Sequence, residues 1–349
     1  MITTNKSICA ALLTLALMGA SSVSWADHPS LSFGAATAGP ITTIPAVTLP
    51  RGTKSFGVQV EYVKSKQFSD QQLLDLDAQG IDAHSSGYLV STSLGFGYGV
   101  TDDFTVGVQL PFVERAGLRA VEAGTVESLG NSKGLGDVTV LGKYRAINSA
   151  NNAYQAALLF GVKARTGETN KRNQAGALFS TEHQPGSGSW DPLLGAAASK
   201  AMGKTSLDAS VLYAFAGNGA QDTRLGDRLH YNMAMSFRVA GPEEAHAHHH
   251  DKHDKRPYVK GEGVAPHAHD AAWDLIMELN GEWQGKQKTA GVTEQNSGGT
   301  LVYFSPGVRL STGSNWAANL SVGVPVIQHL RASHADTDYR VLAGFSMSF

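Results

Sequence analysis

The chain has one cysteine, little charge and no long apolar run. Cys9 is the single cysteine among 349 residues, so nothing after it can form a disulfide, a thiolate metal site or a cysteine nucleophile. Charged residues make up 17% of the chain, against about 25% in a typical soluble domain. The formal net charge of −2 argues against a general nucleic-acid binder. No apolar run reaches about 18 residues, which excludes a bundle of membrane-spanning helices. A β-rich protein remains, either soluble or a membrane barrel.

The amino terminus has the pattern of an export signal. Lys6 supplies a positive charge, residues 8–20 form a short apolar run, and Ser24 and Ala26 place small residues at positions −3 and −1 of a cleavage site. We therefore expect residues 1–26 to be a signal peptide that is removed together with Cys9. The mature protein then belongs to a bacterial envelope.

Alternation with period two is the strongest structural signal. Between residues 88 and 100, one face is apolar and the other is small or polar, and the pattern continues from Phe104 after a short turn at residues 101–103. The apolar face reads Tyr88, Val90, Thr92, Leu94, Phe96, Tyr98, Val100, and the other face reads Leu89, Ser91, Ser93, Gly95, Gly97, Gly99. This pattern predicts a β-hairpin.

The same pattern recurs along the chain and predicts about twelve strands. They are 54–64, 86–100, 104–113, 135–147, 153–165, 189–199, 205–215, 227–239, 272–284, 299–310, 315–325 and 338–349. Most are longer than the roughly 5–6 residues of an average soluble strand and match the roughly 9–11 that a tilted membrane-spanning strand needs. We expect an all-β fold, a transmembrane antiparallel β-barrel in the outer membrane of a Gram-negative bacterium. A soluble β-sandwich is the alternative.

Charged residues fall on the less apolar face of these strands. In a barrel they line a wet lumen. They would either form opposed rings across a polar channel, which select small solutes, or pair with one another and fill the interior. The predicted lumen charges are Glu61, Asp137, Lys143, Arg145, Lys163, Arg165, Asp208, Arg238, Asp274, Glu278, Glu282 and Arg340.

The carboxyl terminus alternates up to a terminal aromatic residue. Tyr339, Phe345 and Phe349 share one face of the last predicted strand. We interpret this pattern as the signal that outer-membrane barrels present to the barrel-assembly machinery, and the alternative is an ordinary final strand.

Long and short connections alternate, as in barrels with long outer loops and short periplasmic turns. One predicted turn is long: residues 240–271 occupy a periplasmic position, so the barrel at 54–349 carries an insertion at 241–270. Residues 27–53 contain four prolines and are predicted to be an extended periplasmic segment that enters the lumen as a plug. Residues 69–79 predict a short helix in the first outer loop, capped by Ser69.

Two motifs add a family resemblance. Thr48-Leu49-Pro50-Arg51-Gly52 precedes the first strand, and Gly134-Leu135-Gly136-Asp137 leads into residues 138–145. With the hairpin at 94–112, these motifs resemble the outer-membrane family named for the meta-pathway of phenol degradation. The resemblance implies a barrel that acts as a transporter or channel. The His-rich insertion is not part of that family's pattern.

The insertion holds the strongest local chemistry in the chain. Seven of the 13 histidines lie between residues 246 and 269, interspersed with carboxylates. Neutral imidazole suits divalent transition metals, so we expect a labile site for Zn, Cu or Ni that weakens below about pH 6.5. The alternative is a solvated polar loop. The predicted ligands are His246, His248, His249, His250, His253, His267 and His269.

The other histidines give a weaker indication of metal binding. His84, His183, His329 and His334 fall in predicted outer loops, and we expect each to be solvated or hydrogen-bonded rather than a ligand. His230 is predicted to face the lumen.

No catalytic motif is evident. The sequence has no Gly-x-Ser-x-Gly elbow and no His-Glu-x-x-His pair, and no helix follows the glycines at 95, 97 and 99, so they do not form a phosphate loop. We expect no enzymatic activity and no required cofactor. The sequence predicts a channel or channel-like transporter for a small-molecule or metal-ion solute in outer-membrane lipid. The alternative is a non-conducting barrel that binds metal or docks a partner through the insertion.

Overall fold

Twelve antiparallel strands form one closed barrel in the part of the chain that the computed structural model describes, residues 40–241, 271–312, 315–330 and 335–349. Each strand pairs with its neighbours in sequence, and the first pairs with the last from Ser55–Ser348 onward, which closes the cylinder. The strands are β1 (Lys54–Ser65), β2 (Tyr88–Thr101), β3 (Phe104–Glu122), β4 (Thr139–Asn148), β5 (Tyr154–Lys163), β6 (Asp191–Met202), β7 (Thr205–Ala214), β8 (Arg228–Ala240), β9 (Ala272–Gln284), β10 (Gly299–Ser311), β11 (Trp316–Leu330) and β12 (Thr337–Ser348). The predicted fold class and strand number are confirmed.

The alternation in the sequence separates the outside of the barrel from its inside. Large apolar side chains on the outer surface are exposed, among them Phe96, Leu194 and Met233 at 53%, 58% and 63%. Their in-strand neighbours point inward and are buried or half-buried. Because an aqueous surface seldom carries a continuous apolar belt, this outer face fits a lipid environment.

Three strand boundaries differ from the prediction by four or more residues. β3 continues to Glu122 and pairs there with an additional strand, Thr125–Leu135, in a hairpin beyond the closed part of the barrel. This hairpin was predicted as the loop 114–134, because its second arm lacks an apolar face that alternation could identify. β4 consequently begins at Thr139 rather than 135, and β11 extends to Leu330 rather than 325.

The predicted helix in the first long loop is present as α1 (Asp70–Ala78). Ser69 accepts a hydrogen bond from the Gln72 backbone, and the Gln72 side chain accepts one from the Ser69 backbone, which completes a capping box. No helix among the described residues is long and apolar enough to cross a membrane.

The short turns between consecutive barrel strands lie at one end of the barrel, and the long connections, apart from the insertion, lie at the other. Residues 102–103 and 203–204 are two-residue turns at the first end. Ala240 and Ala272 lie at that same end, so the insertion leaves the barrel there. The predicted metal ligands at 246–269 and the signal peptide lie outside the described residues, and both remain predictions.

Candidate functional site in the barrel interior

The segment before β1 lies inside the barrel. Ile41, Ile44 and Ala46 are buried, although no strand or helix contains them. Ile41 packs against Ile276 and Leu342, and Ile44 and Ala46 join an aliphatic cluster contributed by β4 to β7. Residues 41–49 therefore cross the lumen from one wall to the other.

Glu278 holds the end of this segment. The backbone N–H groups of Ile41, Thr42 and Thr43 all donate to its carboxylate, at 3.0–3.1 Å. Glu278 is 1% exposed, so these bonds are shielded from water. Hydrogen bonds to a charged acceptor contribute about 1.5–3 kcal/mol each, which makes this carboxylate the strongest single anchor of the segment.

Further anchors follow the segment toward β1. Ser210 and Ser199 accept the N–H groups of Ile44 and Ala46, at 3.2 and 2.8 Å. The Lys143 ammonium donates to the Pro45 carbonyl at 3.0 Å. The extended backbone thus has polar partners within the lumen, as buried N–H and C=O groups require.

Gly99 makes room where the segment enters. A Cβ built at Gly99 would lie 2.0 Å from the Pro50 carbonyl oxygen, which is a backbone atom that cannot rotate away. Gly95 lies on the same face of the same strand, and a Cβ there would meet only one atom, at 3.9 Å.

We expect Gly99→Val to displace the segment and Gly95→Val to leave it in place. Overpacking costs about 1–3 kcal/mol, and here the segment has to move because the clash is with its backbone. The measurement is thiol labelling of Thr43→Cys in a chain with Cys9 replaced by serine. Labelling is expected to be fast only with Gly99→Val, and equal protection in both glycine variants would contradict this view of the entrance.

The lumen charges pair between neighbouring strands rather than across the lumen. The Lys163 ammonium lies 2.7 Å from the Asp191 carboxylate and 3.4 Å from that of Asp137. Arg238 pairs with Asp274, and His230 Nδ1 lies 3.3 Å from the Glu282 carboxylate, in each case directly opposite in strand register. Of the two arrangements that the sequence left open, these contacts favour pairing along the wall.

Arg340 forms the centre of a second polar group. Its guanidinium lies 3.6 Å from the Glu61 carboxylate and donates to Asn280 at 2.7 Å. The same guanidinium stacks 4.3 Å from the centre of the Tyr303 ring. These contacts fix the side chain against the wall.

The remaining predicted charges lie nearer the short-turn end, with one exception. Asp208 is buried beside Ser199, and Arg145 pairs with Asp103 at 2.7 Å. The prediction for Arg165 is wrong: β5 ends at Lys163, and Arg165 is exposed in the following connection. The predicted strand, 153–165, continues two residues beyond the true end of β5.

Several interior polar residues are not among the lumen charges predicted from the sequence. Asp191, Arg228 and Arg309 are buried and share the inward parity of their strands, so strict alternation would have found them. Arg115 is 1% exposed but was assigned to a loop, because the extension of β3 was not recognised.

Two cavities lie between the segment and the long loops. One, with about 640 Å³ of atom-free space that includes open solvent, is lined by Asp137, Lys163, Asp191 and Arg228 together with Pro111, Val113, Pro185 and Leu193. The other, with about 610 Å³ of such space, is lined by Glu61, Glu282 and Arg340 together with Val63, Leu212, Leu301 and Tyr303. His230 lines both, so the two cavities adjoin. Their walls combine fixed charge pairs with aliphatic surface.

Two carboxylates mark the long-loop end. Hydrogen bonds from Lys171 and from the Leu135 backbone lower the pKa of Glu168. Burial alone would raise the pKa of Asp227, but hydrogen bonds from Arg224, Tyr213 and the Ala216 backbone outweigh burial and lower it. Both groups are therefore ionised at neutral pH.

The comparisons with known proteins agree with this fold. The profile of the family described as MetA-pathway of phenol degradation matches residues 101–251, which confirms the resemblance predicted from the sequence. An outer membrane channel from Pseudomonas putida F1 is similar, with a TM-score of 0.51 and 17% identity over 87% of this chain and 98% of that chain. At this identity the likeness establishes the fold, a transmembrane β-barrel.

Two further solved structures are more distant. The NanC porin has a TM-score of 0.40 at 8% identity, covering 84% of this chain and 98% of its own. The CymD monoaromatic hydrocarbon channel has a TM-score of 0.37 at 8% identity, covering 86% and 89%. No curated protein sequence matches the chain.

Proposed function

We propose that the chain is a passive channel-like transporter for small solutes in the outer membrane of a Gram-negative bacterium. The observation that carries the proposal is a barrel with an apolar outer belt and two adjoining interior cavities lined by charge pairs. A lipid-exposed wall with a polar interior is the arrangement of membrane barrels that admit solutes.

The lining indicates the class of solute. Leu193, Leu212 and Leu301 offer aliphatic contact, whereas Lys163 and Arg340 are held in place by carboxylates. A solute that combines an apolar body with one or two hydrogen-bonding groups matches such a wall. Large hydrated ions gain less from Lys163 and Arg340, because both cations are already paired with carboxylates.

Planar-bilayer conductance and vesicle uptake test the proposal together. We expect a small stable conductance, and uptake of small phenols or similar amphipathic solutes in preference to sugars of equal size. Arg340→Met is expected to change solute preference, and Arg165→Met, outside the lumen, is its matched control. A purified, folded barrel with neither conductance nor uptake, even after removal of residues 27–49, would contradict the channel.

The insertion has a separate proposed role. Its histidines bind Zn, Cu or Ni and link the barrel to metal at the periplasmic side. A chain without residues 242–270 is expected to lose this metal binding and to keep its conductance. Labelling of the insertion from outside intact cells would contradict the periplasmic placement.

The hydrogen bonds of the segment across the lumen favour one alternative. If the segment never leaves, the protein is a closed barrel that binds metal or docks a partner through the insertion. Conductance separates the two functions: the alternative requires none, together with tight metal binding.

A further inference from the structure

Three potential metal ligands from distant parts of the sequence meet in the outer loops. They are His84, Glu182 and His183, and one nitrogen from each ring and a carboxylate oxygen all lie within 4.8 Å of one another. His84 Nδ1 is 3.6 Å from Glu182 Oε1, and His183 Nδ1 is 3.9 Å from that same oxygen. The two rings meet edge to face, with centroids 4.7 Å apart.

The protein holds these side chains on separate supports. His84 belongs to a short strand, His84–Ser85, that pairs with the extension of β3. His183 ends a 3₁₀ turn, Thr181–His183, in the connection between β5 and β6. The site therefore joins the first long loop to the third.

Polar groups lie near the ring nitrogens of both histidines, as they usually do around histidines that bind a metal. Ser180 Oγ lies 2.8 Å from His183 Nδ1 and fixes the plane of that ring. On the far side of His84, Nε2 lies 3.7 Å from the Asp82 carboxylate, on the side where a supporting acceptor of its N–H would lie. His183 is 2% exposed, which is unusual for a histidine in an outer loop.

The distances fit a tetrahedral ion after a small adjustment. Zinc bonds to nitrogen and oxygen are about 2.0–2.2 Å, so two ligands of a tetrahedron lie about 3.3 Å apart. The 3.6 Å between His84 Nδ1 and Glu182 Oε1 is close to that value. Ser180 holds His183 Nδ1, so that ring is expected to present Nε2 to the ion. Two imidazoles and one carboxylate are a known zinc ligand set that leaves one position for water.

We propose that His84, Glu182 and His183 bind one divalent transition-metal ion of the zinc class, which clamps the first and third outer loops together. This site is distinct from the histidines of the insertion, which leaves the opposite end of the barrel. It does not depend on whether the barrel conducts.

The test uses the full chain with the seven insertion histidines replaced by asparagine and without a histidine tag. Titration calorimetry with Zn²⁺ is expected to give one ion per chain. His84→Gln and His183→Gln are each expected to weaken binding by more than the roughly 10- to 100-fold that loss of a supporting partner costs. His329→Gln, an exposed histidine on β11, is the matched control and is expected to bind normally.

Two further readouts separate metal binding from a structural role. Co²⁺ in place of Zn²⁺ is expected to give the visible absorption of a four-coordinate ion, lost in His84→Gln. In the chain whose seven insertion histidines are replaced by asparagine, zinc is expected to slow proteolysis within residues 66–87. When His183→Gln is added to that chain, zinc is expected to have no such effect. If the asparagine-substituted chain binds no zinc, or if His84→Gln and His183→Gln bind it as well as His329→Gln, the proposal is wrong.

Discussion

Replacing Glu278 by alanine is expected to release the amino-terminal segment from the lumen and to raise the conductance of the barrel several-fold. The carboxylate accepts three consecutive backbone N–H groups of the segment. Loss of even one charge-assisted bond, at about 1.5–3 kcal/mol, shifts the ratio of bound to released segment by about tenfold or more. The released segment leaves the path between the two cavities and the short-turn end open.

Thiol labelling measures the release directly. Thr43 is 1% exposed, and its hydroxyl has no hydrogen-bond partner among the described residues, so Thr43→Cys is a mild change. With Cys9 replaced by serine, the reporter is the only thiol in the chain. We expect slow labelling in the parent and fast labelling with Glu278→Ala.

Glu282→Gln is the matched control for Glu278→Ala. Glu282 lies on the same face of β9, four residues further along, but its carboxylate faces His230 at 3.3 Å. This variant is expected to keep Thr43→Cys protected. Protection that persists with Glu278→Ala, in a correctly folded barrel, would show that the segment does not depend on this carboxylate.

Replacing Lys163 by methionine is expected to produce the largest loss of stability among single substitutions of the lumen charges. Its ammonium lies between Asp137 and Asp191, whose side chains are only 4% and 3% exposed. Removing one partner of a buried ion pair leaves an uncompensated charge and costs about 3–5 kcal/mol. The measurement is the urea midpoint of unfolding in detergent, followed by tryptophan fluorescence.

An exposed pair supplies the control for Lys163→Met. Lys171 lies 2.6 Å from Glu168, but both side chains are about one-third exposed. Exposed pairs contribute about 0.2–1 kcal/mol, so Lys171→Met is expected to shift the midpoint little. Equal shifts for the two variants would contradict the distinction between the interior pair and the loop pair. Lys163→Met is also expected to increase cation selectivity, because two carboxylates then lack a counter-charge.

The sequence predicts the barrel well because the period of a strand is local. Each inward residue is two positions from the next, and membrane-length strands leave little room for a shift in register. The same rule identified Glu61, Glu278 and Arg340 as interior residues. It failed at Arg115 and Arg165, where the end of a strand was misjudged.

Local sequence patterns do not predict which side chains meet inside the lumen. Whether Lys163 meets a carboxylate across the lumen or beside it depends on the register between strands, which alternation does not fix. The segment at 41–49 has no periodicity, and its anchor at Glu278 lies more than 230 residues away. His84 and His183 likewise meet only because the β3 extension and the third long loop fold over the same end of the barrel.

The pairing of charges along the wall determines what an approaching ion experiences. Lys163, Arg238 and Arg340 each lie within 4 Å of a carboxylate, well inside the Debye length of about 8 Å at physiological ionic strength. From beyond that distance each pair acts as a small dipole rather than as a charge. For the proposed channel we therefore expect weak long-range electrostatic steering and a rate of solute entry that is nearly independent of salt. Discrimination begins only after a solute touches the wall, where shape and hydrogen bonding decide whether it passes.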